Sequence, residues 1–193
     1  MDSGNAAWAT ASLDEAIQRA LDEYSAVLPL RTAVVQALTS VLSTNGREID
    51  ISAVSGLVDV IDVWAPYAVA DDKPEARKFD FWLDQQIVYV SDGDRLLTTD
   101  TARIFFTKQQ TLNGLDGASA TTFRLGDDSL LVLGAVGYAC LSRATDLVEL
   151  VKVDQNAVDA LRQLGNESLK AFRERLQAIA DAMATASVRN RLR

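Results

Sequence analysis

The fold is decided by one apolar stretch of the sequence, LLVLGAVGYACL at residues 130–141. Apolar residues recur through it at helical spacing, and Asp127 or Asp128 is suited to cap the N-terminus of the helix. A glycine in a helix interior costs about 1 kcal/mol relative to alanine, so Gly134 and Gly137 indicate compensating close packing. We therefore expect this helix to be the central and most buried one.

A first helix is predicted N-terminal to this stretch, over about residues 13–26. Ser12 and Glu15 have the spacing of a capping box, and apolar residues then follow at three- and four-residue steps. Pro29 ends the helix, because a residue before proline avoids helical backbone angles.

A long last helix is predicted at the other end of the chain. Asp154 is a suitable N-cap, and apolar residues continue at helical spacing toward Ala186. Gly165 is the candidate position for a bend.

Residues 30–110 have the pattern of a β-rich insertion. Short apolar runs are separated by turns and occur near residues 58–64, 78–83, 87–90 and 103–107. Strands that follow one another without intervening helices predict an antiparallel arrangement. The run Thr32 to Ser43 suits either a strand or a short helix. We favour the strand, because Asn45-Gly46 after it is a hairpin signal.

The predicted fold class is therefore α+β. One N-terminal and two C-terminal helices form a helical core, the last helix is long, and an antiparallel β subdomain is inserted between the first two. We predict a single domain over residues 1–193, divided as follows: an N-terminal helix in 1–29, the insertion in 30–110, the C-terminal helices in 127–186 and a basic docking tail in 187–193.

Composition excludes several classes of enzyme. The 193 residues include no histidine and one cysteine, Cys140, which rules out histidine-based triads, histidine zinc sites and an internal disulfide. A formal charge of −8 argues against nucleic-acid binding. Residues 1–10 lack the pattern of a secretory signal, and about a dozen apolar residues at 130–141 are too few for a membrane span, which needs about 20. We expect a non-catalytic protein of a reducing, aqueous compartment, without cofactor, metal or membrane.

Carboxylates beside glycines are the remaining candidates for chemistry. Asp92-Gly93-Asp94 is interpreted as a solvated turn and Asp127-Asp128 as a helix cap. A metal site would need more oxygen ligands at fixed spacing. The enzymatic alternative is an acid-dependent hydrolase that uses Asp92 and Asp127 as its two carboxylates.

Two features predict contact with partners. Trp82 is out of phase with Phe79 and Phe81, which are expected in the core, so it is a candidate outward-facing interface aromatic. Residues 162–193 contain seven bases and three acids, and no acid follows Asp181. The candidate docking residues of the tail are Val188, Arg189, Arg191, Leu192 and Arg193. The alternative interpretation of the tail is a frayed, solvated terminus.

Two segments resemble structural proteins of phages and prophages: FFTKQQTLNGLDGA at 105–118, and 130–150 with its core LGAVGYAC. The order of helix, β insertion, alanine- and glycine-rich helix and long arginine-ending helix is similar to head–tail adaptor (connector) proteins of tailed bacteriophages. This resemblance implies a ring, typically of about twelve copies, between the portal and the downstream neck or tail proteins. It also implies localisation in the neck of the virion, after assembly in the host cytoplasm. The ring would continue the DNA channel, and the docking tail would reach the portal.

A binding module is the alternative function. The aromatic residues of the insertion would then form a site for a small molecule or a peptide. The mass in solution separates the two functions, because an assembly protein forms rings or concentration-dependent oligomers and a binding module is a monomer.

Overall fold

A computed structural model describes residues 8–70, 76–148 and 154–191, and of 185–191 it describes the backbone alone. The predicted α+β class is confirmed, with one N-terminal helix, two C-terminal helices and small antiparallel sheets. The elements are α1 (Thr10–Val27), β1 (Leu30–Ala37), β2 (Glu48–Asp50), β3 (Leu57–Trp64), β4 (Phe79–Trp82), β5 (Ile87–Val90), β6 (Thr101–Lys108), α2 (Asp128–Val148) and α3 (Gln155–Arg191).

The chain divides into two compact units. The helical unit consists of Met1–Leu28 together with Gln110–Arg193, and the β unit is Pro29–Gln109. Leu30 pairs with Lys108 at the ends of β1 and β6, so the chain enters and leaves the β unit on neighbouring strands. This pairing explains how residues 29–109 form a compact unit inside a helical sequence.

In the helical unit, α2 packs against both α1 and α3. Gly134 lies so close to Ala20 and Phe172 that an added Cβ would be 3.0 and 3.2 Å from their side chains. A Cβ on Gly137 would lie 3.1 Å from the carbonyl oxygen of Gly165. The glycines of α2 therefore set a close approach to its neighbours, as the sequence predicts, and Gly165 serves this contact within a continuous α3.

The helix ends differ from the prediction in two places. The capping box is wrong: α1 begins at Thr10 and Ala9 is its N-cap, without a side-chain cap, so Ser12 lies inside the helix. The Asp154 cap is confirmed, because its Oδ1 accepts the backbone N–H of Asn156 at 3.0 Å. The backbone of α3 continues to Arg191, so the helix does not end near residue 186 as expected.

The β unit contains two antiparallel three-stranded sheets, with strand orders β1-β6-β3 and β2-β5-β4. Their inner faces share one apolar core, whose fully buried members include Ile49, Val63, Val88, Val90 and Ile104. Phe79 and Phe81 are partly buried against this core.

The ambiguous run at 32–43 is a strand only in its first half. β1 ends at Ala37, and residues 38–41 form turns. Asn45-Gly46 does turn the chain, with Gly46 at φ 69°, but it joins a single bridge between Leu42 and Ile49. The strand before this turn, β1, pairs with β6, which lies far along the sequence. No local pattern signals this pairing.

Candidate partner-binding surfaces

The predicted docking tail is continuous with α3. Val188, Arg189 and Arg191 belong to the helical backbone, while their side chains, and all of Leu192 and Arg193, lie outside the described residues. Among the side chains that the structure describes, Ile179 is the last one of α3 in the apolar core cluster of the helical unit. The helix therefore extends about 18 Å beyond that contact, at 1.5 Å per residue.

Trp82 faces outward, as predicted. Its side chain is 41% exposed and stacks on Tyr89, with ring centroids 5.8 Å apart and an angle of 16° between the planes. Leu83, the next residue, lies beyond the end of β4 and is exposed. Two stacked aromatic rings on an open sheet face are a usual feature of protein interfaces.

Carboxylates flank this aromatic pair. Glu48 on β2 and Asp80 on β4 are both directly opposite Tyr89, and Asp50 and Trp82 are both opposite Ile87. We call these six residues the aromatic face. Hydrogen bonds from the backbone and side chain of Ser52 lower the pKa of Asp50, which keeps this carboxylate ionised. Residues 48–51 alternate between charged and apolar side chains, which places Glu48 and Asp50 on the same side of β2, but no local pattern predicts that β2 pairs with β5.

An apolar groove of about 410 Å³ lies between α1 and α2. It was not predicted, although all of the residues that form it except Trp8 belong to the two predicted helices. Its walls are the side chains of Trp8, Leu13, Ala16, Ile17, Val132, Ala135, Val136, Ala139 and Cys140. Val132 is 60% exposed, so the groove is open to solvent on the α2 side. We call this surface the α1–α2 groove.

Cys140 has the environment of a structural residue. Its side chain is buried, and burial raises the pKa of its thiol. A thiol in this environment is a poor nucleophile at neutral pH. It serves as one small apolar part of the groove wall.

A polar bridge joins the three helices. Tyr138 on α2 donates a hydrogen bond to Glu23 of α1 at 2.5 Å, and Nε of Arg173 on α3 donates to the same carboxylate at 2.5 Å. Burial acts to raise the pKa of Glu23, but these two hydrogen bonds and the charge of Arg173 together lower it. We call this arrangement the Glu23 bridge, and it orients the helices.

The predicted carboxylate motifs have structural roles. Asp92 accepts the backbone N–H of Lys78 at 3.0 Å, and Asp127 accepts the hydroxyl of Tyr24 at 2.6 Å. Gly93 has a φ of 66°, which favours glycine, and a Cβ there would also lie 1.3 Å from a guanidinium nitrogen of Arg77. Asp92 and Asp127 belong to different units. Within residues 8–70, 76–148 and 154–191, no group of three or more metal-binding side chains occurs.

A second aromatic cluster surrounds Arg103 in the β unit. The guanidinium carbon of Arg103 lies 5.6 Å from the ring centroid of Trp64, 5.5 Å from that of Tyr67 and 5.0 Å from that of Phe105. One of its terminal nitrogens donates to the Tyr67 hydroxyl at 3.2 Å. Its buried Nε has no hydrogen-bond partner among the described residues. The chain thus already packs one arginine against aromatic rings.

The helix α2 is longer than the apolar stretch at residues 130–141 that lies within it. The helix has 21 residues, and an 18-residue window within it has a mean hydropathy of 1.3, so length and composition alone would allow it to cross a membrane. Core helices of soluble proteins meet the same criterion. In α2, 33% of that window is buried, and Gly134 and Gly137 make close contacts with α1 and α3.

The surfaces described above are the observations from which a function is inferred. No family model matches the sequence, and none of the curated proteins matches it.

Proposed function

We propose that the protein is a non-catalytic virion structural protein, a head–tail adaptor of a tailed bacteriophage. It forms a ring of copies that joins the portal to the downstream neck or tail components and continues the DNA channel. The proposal rests on the sequence resemblance at residues 105–118 and 130–150 and on one observation of the structure.

That observation is the open α1–α2 groove. Its lining is apolar, and Val132 and Val136 at its mouth are 60% and 39% exposed. Exposed apolar side chains of this kind are stabilised when another protein covers them and removes them from water. A neighbouring copy in a ring would cover it.

A ring repeats one head-to-tail contact, so the groove must meet a different surface of the next copy. The described part of α3 supplies exposed apolar residues for that surface, Leu164 at 49% and Met183 at 52%. These two positions would therefore be protected when copies associate.

The charge of the chain is consistent with the proposed channel. A net charge of −8 repels DNA, which lets a polyanion pass without sticking. The excess of bases after residue 161 concentrates positive charge at the end of the chain, where the docking tail would meet the portal.

A matched pair of substitutions tests the groove. Val132→Glu places a charge at its mouth, and Val148→Glu places the same charge at a position on α2 that is 51% exposed and outside the groove. We expect Val132→Glu to abolish the high-mass species in light scattering after size exclusion, while Val148→Glu keeps it. Equal assembly by both variants would contradict the role of the groove.

The second candidate function is a peptide-binding module in the β unit. The aromatic face favours it, because Trp82 and Tyr89 present stacked rings on an open sheet. A protein that stays monomeric at all concentrations and binds a peptide there would support this function over the adaptor.

A further inference from the structure

The aromatic face is a small grid of cross-strand pairs. One row runs Glu48, Tyr89, Asp80 and the next runs Asp50, Ile87, Trp82. Residues directly opposite each other on antiparallel strands point to the same side of the sheet, about 5 Å apart. Two stacked rings therefore lie within reach of three carboxylates.

These carboxylates are available to a partner. Asp50 and Asp80 are exposed, although one oxygen of Asp50 accepts the backbone N–H of Ser52 at 2.8 Å. Glu48 is half-buried and accepts a hydrogen bond from the Asn45 amide at 2.9 Å. Among the described residues, none of the three forms an ion pair with a lysine or arginine of this chain. The face thus combines negative charge that is not neutralised with exposed aromatic surface.

This combination fits one side chain best. A guanidinium is planar, so it stacks on the faces of tryptophan and tyrosine while its edge N–H groups donate to carboxylates. The cluster around Arg103 shows that this chain already places a guanidinium near aromatic rings, with its carbon 5.0 to 5.6 Å from three ring centroids. An arginine at the aromatic face would in addition find acceptors.

Other partners fit less well. The three carboxylates repel phosphates, which disfavours a nucleic acid. A purely apolar partner would bury carboxylates without compensation, which is costly. We propose that the aromatic face docks a partner protein through an arginine-bearing segment, with the guanidinium stacked on Trp82 and hydrogen-bonded to Asp80 or a neighbouring carboxylate. This inference goes beyond the adaptor function, because it depends only on the β unit.

A peptide titration tests the proposal. The probe is acetyl-Gly-Val-Arg-Leu-Arg-Gly-amide, added to the isotopically labelled full chain and followed by NMR. We expect shifts confined to the amides of β2, β4 and β5 and to the indole N–H of Trp82, with a dissociation constant below about 1 mM. Added salt should weaken binding, because the carboxylates are exposed.

Two variants and one control locate the contact. Trp82→Ala should weaken binding about tenfold, and Asp80→Asn, which keeps the shape of the side chain, should weaken it about threefold to tenfold. Leu83→Ala changes an exposed neighbour outside the face and should leave binding unchanged. Folding of each variant is read from the same spectra.

The same peptide with citrulline in place of both arginines keeps the shape of these side chains and removes their positive charge. We expect it to bind at least tenfold more weakly. Equal binding of the citrulline peptide, shifts that map elsewhere, or no binding at about 1 mM would each overturn the proposal.

Discussion

Replacing Gly137 by alanine should destabilise the protein, although alanine is the better helix former. Gly137 lies where α2 crosses α3, and Gly165 faces it. A Cβ on Gly137 would lie 2.6 and 2.8 Å from two carbon atoms of Leu169 and 3.1 Å from the carbonyl oxygen of Gly165. Leu169 is only 6% exposed, so its side chain has no open space to move into.

The expected change in the free energy of unfolding is the difference between two opposing effects. Helix propensity favours alanine by about 1 kcal/mol, and overpacking a close contact typically costs about 1–3 kcal/mol. The clash here involves a backbone oxygen as well as a buried side chain, so the helices must separate and the contact of Gly134 with Phe172 also weakens. We expect a net loss of about 1–2 kcal/mol in the free energy of unfolding.

Urea unfolding followed by far-UV circular dichroism measures this loss, because most of the helical signal comes from the helical unit. Asn166→Ala is the control, since Asn166 is an exposed interior residue of α3 and should respond to helix propensity alone. We expect Asn166→Ala to raise stability slightly while Gly137→Ala and Gly165→Ala lower it. A Gly137→Ala protein as stable as the wild type would refute the close approach of the two helices.

Three further changes test other parts of the structure. Glu23→Gln should cost about 0.5–1 kcal/mol at neutral pH, whereas Glu15→Gln, in an exposed pair, should cost less. Folding lowers the pKa of Glu23, so the stability that its ionised carboxylate contributes is complete above the ordinary glutamate pKa and is lost as the pH falls through the lower folded value. Urea unfolding at several pH values should therefore show the difference in stability between wild type and Glu23→Gln vanish in acid. Gly93→Ala should unfold at lower urea concentration, because alanine is strained at a φ of 66° and its methyl group would displace the Arg77 guanidinium; unchanged stability would contradict this backbone conformation. Deleting residues 188–193 should leave the fold intact and abolish salt-sensitive attachment to a portal ring in co-sedimentation, and attachment that survives the deletion would contradict the docking tail.

The sequence predicted what depends on local pattern. Apolar periodicity identified the three helices and most strands, and β5 at 87–90 has the predicted bounds. Small residues at 134 and 137 indicated a closely packed helix, and the phase of Trp82 indicated an outward ring. Each of these conclusions depends on residues within a few positions of one another.

One wrong prediction concerns local structure, and the features that the sequence could not predict depend on distant residues. Ser12 and Glu15 satisfy a capping pattern, but the helix begins earlier and Glu15 pairs with Arg19 instead. The pairing of β2 with β5 brings Glu48 beside Tyr89, and no local signal fixes that register. The α1–α2 groove likewise requires two helices that are more than a hundred residues apart in the chain.

The most direct test of the adaptor proposal is the mass of the purified protein, alone and mixed with candidate portal rings, by light scattering after size exclusion. The chain has a mass of 20.9 kDa. We predict a stable complex with a portal ring, whose mass exceeds that of the portal by many copies of this chain. A species of 20.9 kDa that elutes separately from every portal ring would contradict the proposed function.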